Sequence, residues 1–146
     1  MKKPKILFVC IGNSCRSQIA EGYARAWGDP LMNVKSAGTH AIDAVSPEIR
    51  QVMAEEDIDI SGQRPKQLTA KMIDWADRVI VLGGTPELIY PELLQDKLVA
   101  WPTPDPYGRG LEEARRVRDL IKARVTDLLI DLGNGEWGVG SGIQSV

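Results

Sequence analysis

Short apolar runs alternate along the chain with longer segments in which apolar residues recur at helical spacing. Residues 6–9, ILFV, are too few for a helix and aliphatic enough to form a strand that is buried on both faces. Similar runs at 34–37, 78–82 and 97–101 predict three further strands. Amphipathic segments separate these runs, so the pattern predicts a parallel sheet covered by helices.

The first and last predicted helices carry the clearest apolar stripes. The first stripe consists of Ile19, Ala20, Tyr23, Ala24 and Trp27. The last one consists of Leu111, Ala114, Val117, Leu120, Ile121, Val125, Leu128, Leu129 and Leu132. Gly28 and Pro30 supply stop signals for the first helix. We expect both stripes to face the core.

Two shorter helices are predicted between the second and third strands. Residues 46–48, SPE, are typical of an N-cap followed by the first turn of a helix, and 69–75 forms the other helix. Residues 83–95 mix a glycine pair and two prolines with a short helix-like piece. Residues 102–108 contain three prolines, so we predict a loop there.

The length of 146 residues is that of one ordinary globular domain. After residue 132 the chain becomes glycine-rich with little apolar pattern. We therefore predict one domain over residues 1–132 and a flexible tail over residues 133–146.

Composition excludes several classes of function. The net charge is only -2 and the Lys and Arg residues are spread along the chain, which argues against a nucleic-acid partner. No stretch approaches the roughly 20 apolar residues of a membrane span, and the apolar run near the start is too short for a secretion signal. Two cysteines do not form a disulfide framework. We therefore expect a cytoplasmic protein without a membrane partner.

Residues that carry chemistry are concentrated between the first strand and the first helix. This segment, residues 10–17, reads CIGNSCRS. The first strand-to-helix loop of an open α/β sheet is a usual ligand site, and consecutive backbone N–H groups at a helix start bind anions. The guanidinium of Arg16 matches two oxygens of a phosphate-like group. We predict that an oxyanion is bound by Ile11, Gly12, Asn13, Ser14, Cys15, Arg16 and Ser17.

Cys10 opens this loop and is the predicted nucleophile. The positive field of the helix start favours its thiolate form. Ser17 can donate a hydrogen bond to that thiolate and stabilise it as a leaving group. Asp105, in the proline-rich loop, is a candidate general acid for a departing alkoxide. Tyr107 beside it can stack on an aromatic substrate.

The motif VCIGNSCRSQIAEG resembles the phosphate-binding loop shared by low-molecular-weight protein tyrosine phosphatases and thioredoxin-linked arsenate reductases. The resemblance continues in SAGTHA at 36–41, in SPEIRQVMAEEDIDISG at 46–62 and in PDPYG at 104–108. It covers nearly everything before the tail. It implies a single three-layer α/β domain with a four-stranded parallel sheet, of the phosphatase I-like kind.

The resemblance also assigns roles. It implies Cys10 as nucleophile, Arg16 as oxyanion clamp and Asp105 as general acid, with no cofactor. Asn13 and Ser17 match positions that shape the loop and steady the thiolate.

The two branches of this superfamily share the first chemical step and differ in the second. In the phosphatases water hydrolyses a cysteinyl thiophosphate, so one thiol suffices. In the thioredoxin-linked reductases a second and a third cysteine resolve the adduct, and residues 81–94 contain none. SQIAEG and IDISGQRPKQL look closer to reductases, whereas DPYG looks closer to phosphatases. The missing thiols favour a phosphatase that hydrolyses a phosphorylated protein or a small phosphate ester.

Two alternatives stay open. An arsenate reductase would release a Cys10 adduct through Cys15 or through an external thiol, supplied by thioredoxin, glutaredoxin or mycothiol. Cys10 and Cys15 would then be redox residues, which can also form a protective disulfide. A non-catalytic phosphate-binding module would keep Arg16 and lose the nucleophile or the acid, but both are present. A metal site at the two cysteines lacks two further ligands, so no metal is expected.

The remaining candidates have plainer interpretations. His40 is expected to be solvated or to brace its loop. Glu21 can brace the phosphate-binding loop, help to hold a cation as in some arsenate reductases, or simply be exposed. Structural roles are expected for the others, with a solvated helix face for Arg115, Arg116 and Arg118 and core positions for Trp75 and Trp101.

Overall fold

The computed structural model describes residues 3–94 and 96–135. Its strands are β1 (Lys5–Cys10), β2 (Asn33–Gly38), β3 (Arg78–Val81) and β4 (Leu98–Ala100). They form one sheet in the order β2-β1-β3-β4, and every neighbouring pair is parallel. The four predicted strands and their parallel arrangement are confirmed.

Helices connect the strands on both faces of the sheet. They are α1 (Arg16–Gly28), α2 (Pro47–Ala54), α3 (Ala70–Trp75), α4 (Pro86–Ile89), α5 (Pro91–Leu94) and α6 (Leu111–Gly133). The four predicted helices are present, and the helix-like piece between β3 and β4 is two short helices, each beginning at a proline.

The uninterrupted apolar run of β1 is buried on both faces, because successive side chains of a strand point to opposite sides. Ile6 and Phe8 pack among residues of α1, α2 and α6, and Leu7 and Val9 pack among residues of α3 and α5. The result is a three-layer α/β domain, as expected.

For two residues of the predicted apolar stripes, the expectation that they face the core is wrong. Trp27 is 43% exposed and Leu120 is 45% exposed. Leu120 lies about 100° around α6 from its buried neighbour Ile121, beyond the edge of the stripe. Trp27 is in the last turn of α1, where its ring lies against that of Tyr23 with the centroids 4.8 Å apart.

The expectation of a solvated face is also wrong for Arg118. Its side chain is buried because α6 packs against α2 there, and Nη1 donates to the carbonyl oxygen of Val52 (2.9 Å) and to Oε1 of Glu55 (2.8 Å). The stem of an arginine can be buried when its donors find acceptors. Arg116 is exposed as expected, whereas Arg115 is partly covered by its pair with Glu55.

The two tryptophans differ. Trp101 is 2% exposed and belongs to the core on the α1 and α6 side of the sheet, as expected, whereas Trp75 is half-buried and packs against the core on the opposite face. Within the described ranges, no helix has both the length and the apolar character needed to span a bilayer. Helix α6 continues through Gly133, and residues 136–146 of the predicted tail lie outside the described residues.

Candidate active site

A pocket of about 220 Å³ opens at the carboxyl end of β1. The strand ends at Cys10 and α1 begins at Arg16, so residues 11–15 form the loop that surrounds the pocket floor. The pocket is lined by Cys10, Ile11, Gly12, Ser14, Cys15, Arg16, His40, Ile42, Asp105 and Tyr107. The three residues expected to carry catalysis therefore meet in one place.

The Cys10 thiol is 2% exposed and lies on a chain of directed hydrogen bonds. Its Sγ is 2.9 Å from Oγ of Ser17, and Ser17 Oγ accepts a hydrogen bond of 2.6 Å from Nδ2 of Asn13. Since the Asn13 amide group occupies a lone pair of Ser17, the hydroxyl hydrogen is free to point at Cys10. This arrangement directs a hydrogen-bond donor at the Cys10 sulfur.

Asn13 holds the loop in an unusual backbone conformation. Its φ is 50°, in the left-handed region that asparagine tolerates better than most residues. Its Oδ1 accepts from the backbone N–H of Lys66 (2.8 Å) and from Nε2 of Gln18 (3.1 Å). The side chains of Asn13 and Ser17 are buried and do not line the pocket, so of these two residues only the backbone N–H groups remain candidates for oxyanion binding.

The last residue of β2 must be glycine for this loop to fit. A Cβ on Gly38 would lie 2.5 Å from the carbonyl oxygen of Ile11 and 2.8 Å from the backbone nitrogen of Asn13. Any larger residue would therefore push the loop away from β2. The sequence pattern did not single out Gly38.

Arg16 is oriented by backbone carbonyls behind the pocket. Its Nη1 donates to the carbonyl oxygen of Thr103 (2.8 Å) and, more weakly, to that of Leu82 (3.4 Å). Its buried Nε has no hydrogen-bond partner among the described residues. An unpartnered buried donor costs about 1–3 kcal/mol, and an oxyanion oxygen would satisfy it. A Cβ on Gly83 would lie 2.3 Å from Nη1 of Arg16, so the guanidinium uses space that only glycine leaves free.

Asp105 enters the pocket from the proline-rich loop. Its carboxylate lies 3.8 Å from Nη2 of Arg16, and its Oδ1 accepts a hydrogen bond of 3.0 Å from the backbone N–H of Tyr107. The Asp105 side chain is 52% exposed, and Tyr107 is 58% exposed at the rim. A carboxyl group in this position can exchange protons with both solvent and a bound substrate.

Glu21 is buried below the loop. Of the three roles expected for it, simple surface exposure is therefore wrong. It accepts hydrogen bonds from Oγ of Ser36 (2.5 Å) and Nε of Arg25 (2.7 Å), and Nζ of Lys66 lies 3.6 Å away. Ser36 in turn accepts from Nδ2 of Asn13 (3.0 Å). Glu21 therefore braces the loop, and side-chain cations already face its carboxylate.

The domain and its loop match a known family. The family described as low molecular weight phosphotyrosine protein phosphatase matches residues 5–136. The chain belongs to this family.

Individual relatives in this phosphatase family carry two kinds of name. A glutaredoxin arsenate reductase of Synechocystis is 39% identical over 130 residues, which is 86% of this chain and 95% of that protein. A solved structure titled as an arsenate reductase in the phosphate-binding state is 37% identical, with a TM-score of 0.74 over 88% of this chain and 98% of that one. The YwlE arginine phosphatase of Geobacillus stearothermophilus is 29% identical, with a TM-score of 0.83 over 91% and 95%.

The second cysteine of this family member is poorly suited to attack. Cys15 is 4% exposed, and burial raises the pKa of its thiol to about 12, so it stays protonated at neutral pH. Protonated thiols are weak nucleophiles. The segment between β3 and β4 begins with Leu82, Gly83 and Gly84 and contains no cysteine, so it supplies no second thiol.

His40 and Ile42 form part of the pocket rim. The imidazole of His40 is exposed, as expected, and its Nδ1 lies 3.3 Å from Oγ1 of Thr39. Ile42 was not a candidate; its backbone N–H donates to the carbonyl oxygen of Gly12 (3.1 Å), which draws the loop after β2 over the pocket. Among residues 3–94 and 96–135, no three His, Cys, Asp or Glu side chains are grouped so that they could hold a metal ion.

Proposed function

We propose that this protein is an arsenate reductase that attacks arsenate with Cys10 and whose Cys10 adduct is resolved by an external thiol. The geometry supports the attack, because Cys10 and Arg16 line one pocket together with loop residues 11, 12, 14 and 15. The choice of branch rests on the comparisons. The two relatives named as arsenate reductases share 37–39% of their residues with this chain, against 29% for the arginine phosphatase.

In the first step the thiolate of Cys10 attacks arsenic, and one arsenate oxygen leaves as hydroxide or, once protonated, as water. Arg16 and the backbone N–H groups of residues 11–15 hold the remaining oxygens. Ser17 donates to the sulfur before attack and again when Cys10 is released as a thiolate by reduction of the mixed disulfide. Arsenic stays in the pentavalent state in this adduct.

In the second step an external thiolate attacks the sulfur of Cys10. The sulfur–arsenic bond breaks and its electron pair stays on arsenic, so arsenite leaves and a mixed disulfide forms at Cys10. A second external thiol reduces this disulfide. The burial and protonation of Cys15 argue against an internal second step, so the reductant comes from a thioredoxin, glutaredoxin or mycothiol system.

A phosphatase is the second candidate, and Asp105 favours it. A general acid beside the pocket serves an ester with a poor leaving group, and hydrolysis needs only one thiol. The sequence alone favours this reading, whereas the names of the relatives favour the reductase. In either case we assign catalysis to the domain of residues 1–132. Because Cys10 must stay reduced, we assign the protein to a reducing compartment such as the cytoplasm.

A side-by-side turnover assay on one preparation decides between the two. One arm contains p-nitrophenyl phosphate; the other contains arsenate with thioredoxin, glutaredoxin and glutathione, or mycothiol. We expect arsenate-dependent oxidation of at least one reductant, abolished in Cys10→Ser and retained in Cys15→Ser. Ester hydrolysis without any arsenate-dependent oxidation would make the protein a phosphatase.

A further inference from the structure

Glu21 is a buried charge that the reaction of Cys10 does not itself require. It is 4% exposed, and a carboxylate removed from water must be compensated by cations and hydrogen bonds. Two cations are present, and they act on different oxygens. Arg25 binds Oε2, whereas Lys66 lies beside Oε1, the oxygen that accepts from Ser36.

The two cations also face different directions. The Arg25 side chain is 51% exposed and additionally donates to the carbonyl oxygen of Val34, so it braces α1 against β2. Lys66 Nζ donates to the carbonyl oxygen of Arg64 (2.8 Å) and to Oγ of Ser36 (3.4 Å). Lys66 is therefore the cation on the side of Glu21 that faces the loop.

Lys66 reaches the loop through its backbone as well. Its N–H donates to Oδ1 of Asn13, the residue with the positive φ. Nδ2 of Asn13 donates to both Ser36 and Ser17, and Ser17 contacts the Cys10 sulfur. Lys66 thus reaches Asn13 twice: its backbone N–H binds Oδ1 of Asn13, and its ammonium contacts Ser36, which accepts from Nδ2 of Asn13.

The direction of these hydrogen bonds depends on the charge of Glu21. Ser36 gives its only hydrogen to the carboxylate, which leaves its lone pairs for Asn13. Without the Lys66 ammonium, the Glu21 carboxylate would turn toward water, and Ser36 would lose its fixed acceptor. Asn13 would then be less firmly oriented toward Ser17.

We propose that Lys66 is a positioning residue for Cys10. Its ammonium is the counter-ion that holds the Glu21 carboxylate against Ser36 and so keeps Ser36, Asn13 and Ser17 aligned on the sulfur. The inference rests on the proposed role of Cys10 as nucleophile.

The test measures the Cys10 thiol without any substrate. Wild type and Lys66→Met are treated with iodoacetamide at neutral pH, and fragmentation of the tryptic peptide 6–16 separates modification of Cys10 from that of Cys15. We expect Lys66→Met to lower the Cys10 alkylation rate about tenfold. This is the size of effect expected when the hydrogen bond from Ser17 to the Cys10 sulfur is weakened. The Kd for inorganic phosphate should change less than about threefold, because Arg16 and the loop N–H groups remain.

Two rescue variants identify the cause as charge. Lys66→Arg restores the cation, and the double variant Lys66→Met with Glu21→Gln removes the uncompensated carboxylate while an amide oxygen still accepts from Ser36. Both should alkylate faster than Lys66→Met. The matched control is Lys122→Met, which breaks another Lys–Glu pair, the one between Lys122 on α6 and Glu56 just after α2, at 2.7 Å.

Wild-type alkylation rates in Lys66→Met would overturn the inference, as would rescue variants that react no faster than Lys66→Met. Failure of the proposed function is seen separately. If Cys10→Ser turned over substrate, Cys10 would not be the nucleophile, whatever the alkylation rates.

Discussion

The two loops that meet in the pocket are built in opposite ways. In the nucleophile loop, residues 11–15, Asn13 is fully buried and bonded to partners from three other segments. In the acid loop, residues 102–110, Asp105 and Tyr107 are more than half exposed, and the Asp105 carboxylate is held by one backbone N–H and a distant guanidinium.

This difference separates two functions. Under the proposed function, oxyanion binding and attack depend on residues that the fold positions before substrate arrives. Under the same proposal, proton delivery depends on the half-exposed Asp105 side chain, on a loop that is anchored through Thr103 and the buried Pro106. Changes in the first loop should therefore affect every substrate, and changes in the second only substrates whose leaving group needs a proton.

The largest effect is expected for Cys10→Ser. Turnover of arsenate and of p-nitrophenyl phosphate should both fall by about 10³-fold or more, because a neutral hydroxyl is a far weaker nucleophile than a thiolate. Phosphate should still bind, as measured by calorimetry. Cys15→Ser is the matched control, and residual turnover of Cys10→Ser within tenfold of wild type would contradict the assignment.

A smaller and selective effect is expected for Asp105→Asn. Ester hydrolysis should fall about 10²-fold through loss of the general acid, while the attack on arsenate is spared, since arsenate has no poor leaving group. Initial rates with both substrates check this. Asp59→Asn is the control, because Asp59 accepts from the N–H two residues on as Asp105 does. Equal losses in both activities would show that Asp105 acts structurally.

The smallest effect concerns neither loop. Hydrogen bonds from Arg115, with further help from Arg118, lower the pKa of Glu55 from 4.5 to about 2. The folded-state value lies below the unfolded one, so the stabilisation is present above pH 4.5 and is lost as the pH falls toward 2. Glu55→Gln should lower the Tm near neutral pH. The difference in Tm between wild type and Glu55→Gln should become smaller as the pH falls through this range.

Thermal melts at several pH values measure this. Glu113→Gln is the comparison, since Glu113 pairs with Arg116 within one helix instead of joining two. A Tm difference between wild type and Glu55→Gln that does not change with pH would contradict the account. Turnover of both substrates should be unaffected.

Local patterns explain why so much of the nucleophile loop was predictable. Cys10, Arg16 and Ser17 lie within one short segment between a strand and a helix, and both elements have clear periodicity. Gly38 and Gly83 could not be recognised, because their roles follow from the pairing of β1 with β2 and from the position of the Arg16 side chain.

Long-range charge pairs were equally hidden. Lys66 is 45 residues from Glu21 in sequence, and nothing in its neighbourhood marks it as a counter-ion. Arg118 looked like a surface residue because helical spacing does not reveal that α2 packs over it. Residue type and period predict elements, whereas contacts between elements depend on tertiary packing.

The central claim is that an external thiol, and not Cys15, discharges the Cys10 adduct. The most direct measurement is mass spectrometry of the protein after incubation with arsenate and, in separate arms, glutathione, mycothiol or a thioredoxin that lacks its second active-site cysteine, followed by an acid quench. The account predicts a mixed disulfide at Cys10 that forms with arsenate and not with phosphate, and that is absent from Cys10→Ser. An arsenate-dependent disulfide between Cys10 and Cys15, or an unmodified Cys10 under all conditions, would contradict it.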